Sequence, residues 1–334
     1  GASNLHLVIG HQAPKVGLGT YLTGQIAFED IIIDTEYPNL RFIPGDSEIP
    51  GLTSLKLAQK KDLIRNLQSL SADYLILDLG AGAHLTILDL FLMTPQAILV
   101  TAPTVTATLN GYLFLKNTVF RMMYNTFGTD SKAYAYLEEI KKDPTSLQKL
   151  YVPKLLEKLE EVDPSNVAVF RRRLNQLKPQ LILNMIDDPR DADKALKIRR
   201  SCNEYLGLDL NHLGVVYRDT MQDKALASRL PIIIYKPQSL LSQSIYRIAE
   251  KIMTAKTISF DADFNSFDQA ESEAEEDFET QISYVEDLLG TGALTTGDLA
   301  ETIKSQQYEI SQLRKENQLL KSKLVKAASQ GFKI

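Results

Sequence analysis

Short aliphatic runs and stretches of helical spacing take turns along most of this chain. Residues 53–70 place Leu55, Ala58, Leu63, Leu67 and Leu70 among Lys and Gln, a spacing that predicts an amphipathic helix. It delivers the chain to Tyr74-Leu75-Ile76-Leu77, bounded by Asp73 and Asp78, which predicts a short strand buried on both faces. Residues 85–93 predict a helix, and 97–101 a second buried strand stopped by Ala102-Pro103. Residues 104–115 then predict a helix with small polar residues in its first turn. The theme resumes with Leu181-Ile182-Leu183 ending at Asn184, and a helix over 191–206. A strand over 213–216 follows, leading into Tyr217-Arg218-Asp219 and a helix over 221–228. After Pro231 and Lys236-Pro237, a last amphipathic helix carries Ile245, Ile248, Ala249, Ile252 and Met253. This alternation predicts an α/β fold with a doubly wound, mostly parallel sheet. Each strand then ends in a polar residue or loop at one common edge, where such sheets bind ligands.

Three segments depart from that rhythm. Residues 1–35 mix short helical patterns with glycines, and 40–45 predict a short strand entering a Gly-containing loop. Gly17-Leu18-Gly19-Thr20 reads as a turn into a helix, since no Lys closely follows the glycines and no strand precedes them. Between about 118 and 178 three amphipathic pieces form a helical insertion, broken at Gly128, Asp143-Pro144 and Asp163-Pro164. The acids there supply N-caps and the prolines first-turn positions. The Arg171-Arg172-Arg173 triplet within it reads as a solvated helical face.

The third departure is the C-terminal region. Residues 257–303 hold thirteen acids and no Lys or Arg, so 258–281 are expected to be a disordered, self-repelling linker. A helical tail is expected over 282–334, with a parallel coiled coil at about 299–328. Ile303, Ile310, Asn317 and Leu324 fall at a, and Leu299, Gln306, Leu313, Leu320 and Ala327 at d. β-Branched a positions with Leu at d favour two parallel strands, and a single Asn at a pins register. Glu309 and Glu316 at g would face Arg314 and Lys321 at e of a second copy.

Bulk properties narrow the class further. The 334 residues can bury a sizeable core, and the net charge of -5 argues against general nucleic-acid affinity. Cys202 is the only cysteine, which excludes a disulfide framework within the chain and fits a reducing cytoplasm. No apolar run approaches 18 residues, so no membrane span is expected.

The candidate chemistry lies at Asp78-Leu79-Gly80-Ala81-Gly82. An acid at the carboxyl edge of a parallel sheet is placed to orient Mg2+ and its waters, and the small residues after it let backbone approach a phosphate closely. An acid ending a hydrophobic strand is also an ordinary turn former.

A series of motifs carries a resemblance: Gly1-x-x-Asn4-Leu5 with Ile9-Gly10; Leu22-x-Gly24 with Phe28-Glu29-Asp30; Phe42-Ile43-Pro44-Gly45; and the Asp73 to Gly82 stretch. Thr101-x-Pro103-Thr104, Leu183-Asn184, Leu213-Gly214 with Asp219, and Pro231 continue it. In order and spacing they resemble the MinD/ParA family of P-loop ATPases, closest to the FlhG/FleN regulators of flagellar number. The resemblance covers residues 1 to about 255 apart from the insertion, giving expected domains of 1–257, 258–281 and 282–334.

The resemblance implies an ATP-dependent, dimerising switch that sets flagellar number or division-site position, with ATP and Mg2+ as cofactors. It implies Asp78 as the switch II acid acting on Mg2+ through water, and Gly82 as an amide near the γ-phosphate. Asn4 falls in the switch I region, Asn184 would read adenine, and Asp219 would close over the base, beside an Arg218 where the family often has Pro. Caps and turns account for Asn184 and Asp219 equally well. The family's phosphate loop, with its lysines, is not among these residues. The chain is therefore expected to be a fragment lacking a unit of roughly 40 residues and the first strands of the sheet. The implied partners are a second copy, bound through nucleotide and coil, and a flagellar or cell-division protein. The expected location is cytoplasmic, with a peripheral place at the membrane as the alternative; no basic amphipathic helix follows Met253 to favour the latter. The alternatives are a non-catalytic scaffold acting through its coil, and a DNA-partition ATPase, which needs a basic surface that the composition does not supply.

Overall fold

The computed structural model describes residues 4–45, 57–142 and 151–255. Two short helices, α1 (Leu5–Val8) and α2 (Leu18–Leu22), precede an antiparallel pair, β1 (Ile33–Asp34) and β2 (Arg41–Phe42). Then follow α3 (Leu57–Gln68), α4 (Leu85–Phe91), β3 (Ile98–Thr101) and α5 (Val105–Thr126). The helical insertion contributes α6 (Lys132–Lys141), α7 (Val152–Val162) and α8 (Pro164–Gln176). The chain continues through β4 (Gln180–Ile186), α9 (Asp193–Ser201), β5 (Asn211–Tyr217), α10 (Met221–Ala227), α11 (Ile232–Tyr235) and α12 (Leu240–Thr254).

β3, β4 and β5 form a parallel sheet in that order. Successive side chains on a strand point to opposite faces, and the two faces carry different cores. Leu181, Leu183 and Val215 face the large core with Leu115, Val119 and Met123 of α5 and Ile198 of α9. Ile182 packs with Ile248 of α12 on the other side, joined by Leu213, which the register shift between the Leu181–His212 and Ile182–Gly214 pairs takes out of the alternation. Helices therefore cover both sheet faces, the doubly wound arrangement that the alternating pattern predicts. Gly214 is required where α12 crosses β5, because a Cβ there would stand 2.6 Å from Ile248 Cγ1.

The insertion packs into the same core. Phe170 of α8 lies 5.8 Å from Phe127, ring centroid to centroid, and both are fully buried. As the Asp163-Pro164 pair predicts, Asp163 caps α8 by accepting from Asn166 N at 3.3 Å, and it also accepts from Ala133 N of α6 at 3.3 Å. One acid thus joins two helix starts. Cys202 is fully buried where α9 passes into a π-helical turn over Cys202–Leu206, and burial pushes its thiol up to about 12.

The structure corrects several expectations. Tyr74–Asp78 is not a buried strand: it joins neither sheet, and Ile76 is 89% exposed. An apolar run becomes a strand only when neighbouring strands take its backbone hydrogen bonds. Among the described residues none lies alongside this run. Instead Leu77 packs on the small cluster of Phe28, Ile31, Leu63 and Leu67, while Leu79 packs on the main core. The helix expected over 104–115 continues to Thr126, so the insertion starts beyond α5 rather than at 118. Its cap is as predicted, with Thr104 accepting from Ala107 N at 3.3 Å. Asn184 does not end its strand, since β4 runs on to Ile186. The Asp143-Pro144 break, the acidic linker over 258–281 and the coiled coil at about 299–328 lie outside the described residues. Among the described residues no helix is long and apolar enough to cross a membrane.

Candidate functional site

The carboxyl ends of β4 and β5 bring two of the sequence-predicted site residues to one edge. Asn184 pairs in register with Val216, and Ile186 with Tyr217, so Asp219 follows two residues after the last paired position of β5. The register slips between Asn184 and Ile186, and Met185 takes a left-handed conformation with φ 61°. Such a conformation costs a non-glycine residue roughly 1 kcal/mol or more and is held by its surroundings. Here the Asn184 side chain does part of the holding, its Oδ1 accepting from Met185 N at 2.9 Å. The bulge half-exposes the Asn184 side chain, whose amide can both donate and accept.

Asp219 has a local task as well. Its Oδ1 accepts from Met221 N at 2.8 Å, turning the chain from β5 into α10. Between Asn184 and Asp219 lies an ion pair that the sequence did not suggest: Arg218 Nε donates to Asp187 Oδ1 at 3.0 Å. Neighbouring acids are also matched by cations. Asp188 pairs with Arg190 at 2.6 Å, which holds its carboxyl down at about 2, and Asp191 pairs with Lys194 at 2.6 Å. The edge is polar and charge-balanced, with Arg218 in the turn that directly follows β5.

The other predicted residues stand on separate segments. Asp78 is exposed on the extended run before α4. Gly82 has φ +125°, a conformation that L side chains rarely adopt, and only His84 approaches the position of a Cβ. The backbone there is open, as a close approach to a ligand requires. Asn4 is exposed at the start of α1, where its carbonyl accepts from Leu7 N at 2.9 Å. Among the described residues no hydrogen bond or ion pair links Asp78 or Gly82 to Asn184 or Asp219.

The donor set fits Mg2+ only in its solvated form. Among the described residues no three His, Cys, Asp or Glu side chains gather as a metal site. A single carboxylate such as Asp78 suits an ion that keeps several waters and takes phosphate oxygens as its other ligands.

No protein-family model matches this chain, and no curated protein does. Solved structures do. The cell division ATPase MinD of Pyrococcus furiosus is 19% identical, over 76% of this chain and 81% of that one, with a TM-score of 0.47. MinD of Pyrococcus horikoshii, complexed with Mg-ADP, is 18% identical over 77% and 82%, with a TM-score of 0.46. The MinC:MinD cell division protein complex of Aquifex aeolicus is similar at 13% identity over 78% and 81%, with a TM-score of 0.45.

Proposed function

We propose that this chain is the nucleotide-binding body of an ATP-dependent switch of the MinD/ParA type. The observation that carries the reading is the juxtaposition of Asn184, near the end of β4, and Asp219, two residues past the end of the paired parallel β5, at the sheet edge where α/β folds take ligands. The order of the motifs from Asn4 to Pro231 supports it independently. In this reading the Asn184 amide recognises adenine, the Asp219 turn covers the base, and Gly82 offers its amide to the terminal phosphate. Asp78 holds Mg2+ through water, and Asn4 belongs to the segment that responds to the nucleotide. Two copies assemble around bound ATP, with the heptads at 299–328 as a second contact. The Gly-Ala-Gly form after Asp78 supports a process that positions or counts flagella, or positions the division site, with a protein of that machinery as partner.

The test is equilibrium binding of a fluorescent ATP analogue with Mg2+ to the chain joined to a phosphate-loop unit of the MinD/ParA type ahead of Asn4, so that the lysines such a site needs are present. Asn184→Ala is expected to weaken ATP about tenfold and to remove discrimination against GTP, as losing a matched hydrogen bond to a base does. Asp78→Asn is expected to weaken the dependence on Mg2+. Absence of nucleotide binding, or binding that neither variant alters, overturns the reading.

A further inference from the structure

The Arg171-Arg172-Arg173 triplet is not a uniform solvated face. Arg171 pairs with Glu160 at 2.8 Å, whereas Arg173 turns toward α5 and its Nη1 donates to Thr126 Oγ1 at 3.1 Å. Arg173, itself exposed, thereby stands at the rim of an open groove of about 610 Å³ between the end of α4, the C-terminal half of α5 and the last turn of α8, floored by the buried Met122 and Leu177. Leu92, Met122 and Leu177 supply apolar walls, and Thr94, Asn125 and Gln176 supply polar groups. Among the described residues lining it, Arg173 carries the single charge, and no carboxylate lines it.

The nearby Asp89 does not change that balance. Its carboxylate takes two hydrogen bonds from Arg121, at 2.7 and 2.8 Å, one from Lys60, and one from Asn125 at 3.2 Å. The groove opens where the chain enters β3 and β4, at the amino ends of the strands. Leu177 is seven residues before Asn184, roughly 20 Å along an extended chain, so this is a different place from the nucleotide edge.

We propose that this groove is a binding site for a small amphiphilic carboxylate, such as a medium-chain fatty acid. The apolar body lies against Leu92, Met122 and Leu177, and the carboxylate lies on Arg173. The groove has room for a short alkyl chain laid along its apolar floor, with a few polar groups at the rim to fix orientation. A guanidinium suits a carboxylate because its planar fork presents two parallel N–H groups, and the bond to Thr126 sets the plane of the fork. Methionine adapts its shape to flexible apolar chains, which suits Met122 to the wall. Charge complementarity selects an anion, since a cation or a neutral alcohol meets no counter-charge here.

The experiment uses the full chain and a fluorescent fatty acid, 11-(dansylamino)undecanoate, displaced by decanoate or by decanol. Decanoate is expected to displace the probe at a concentration about tenfold lower than decanol, the usual gain from a charge-assisted hydrogen bond. Arg173→Gln is expected to erase that advantage while leaving decanol unchanged. Thr94→Trp, at the exposed rim, is expected to block both, with circular dichroism showing that each variant is folded. Equal binding of decanoate and decanol, indifference to Arg173→Gln, or no bound probe overturns the proposal. So does occupancy by an acidic aromatic peptide without any response to decanoate, which would make the groove a protein-docking site.

Discussion

Arg218 and Asp187, 31 positions apart in the chain, meet at 3.0 Å and tie the exit of β5 to the exit of β4. The pair is solvent-exposed, at 57% and 67% of the side-chain surfaces, so its electrostatic worth is small. Its effect is to fix where the Asp219 turn sits relative to Asn184. Arg218→Ala is therefore expected to lower unfolding free energy by less than about 1 kcal/mol in urea titrations. The same variant is expected to weaken binding of the fluorescent ATP analogue several-fold.

A larger electrostatic effect is expected at Asp89, which is only 8% exposed and takes hydrogen bonds from Lys60 of α3 and from Arg121 and Asn125 of α5. Burial alone would raise its pKa, but the hydrogen bonds from Arg121, Lys60 and Asn125 overcome that and hold the carboxyl down at about 2. The folded pKa is below the ordinary carboxylate value, so the contribution is present above about pH 4 and is lost as pH falls toward 2. Its size is on the order of 2 kcal/mol. Asp89→Asn is expected to remove this acid-side slope and to cost about 2 kcal/mol at neutral pH, because it leaves two partly buried cations without their counter-charge. Chemical denaturation at a series of pH values measures both.

His212 in β5 gives a second pH window. Burial, with repulsion from Lys251, lowers its pKa to about 4, and a backbone hydrogen bond to Gly214 offsets only part of this. Unfolding frees the imidazole to take a proton near pH 6.5, so stability is expected to fall between about pH 6.5 and pH 4. The loss is on the order of 3 kcal/mol. His212→Leu is expected to flatten that portion of the stability–pH curve while leaving the lower segment, due to Asp89, in place.

The contact between α12 and β5 is tested by adding one methyl group. Gly214→Ala places its Cβ 2.6 Å from Ile248 Cγ1, and the helix has to shift. A cost of about 1–3 kcal/mol is expected. The double variant Gly214→Ala with Ile248→Val removes the δ-methyl, which lies 3.1 Å from the new Cβ, and returns part of that cost; thermal unfolding of the four species measures the coupling.

How much of this was legible in the sequence depends on the range of the interactions. β3, β4, β5 and the helices between them could be read, because a buried strand flanked by helical spacing leaves a local imprint. The caps at Thr104 and Asp163 were equally visible, being set by residues within one turn. Tyr74 to Leu77 misled for the complementary reason: four apolar residues in a row show an appetite for burial but not whether a neighbouring strand exists to satisfy it. β1 went unread because two residues make no pattern. At the candidate site Asn184 and Asp219 were legible as polar residues following aliphatic runs. The bulge at Met185, the Arg218 to Asp187 pair and the Asp89 cluster join positions about 30 apart, and only the folded chain brings them together.

Cys202 has a practical corollary. Its thiol is the sole sulfhydryl in the chain, fully enclosed and held overwhelmingly protonated, so an alkylating reagent cannot attack it while the surrounding cluster is closed. The rate of labelling at this one atom is thus a built-in clock for the opening of the interior, and it reads breathing of the molecule without any engineered reporter.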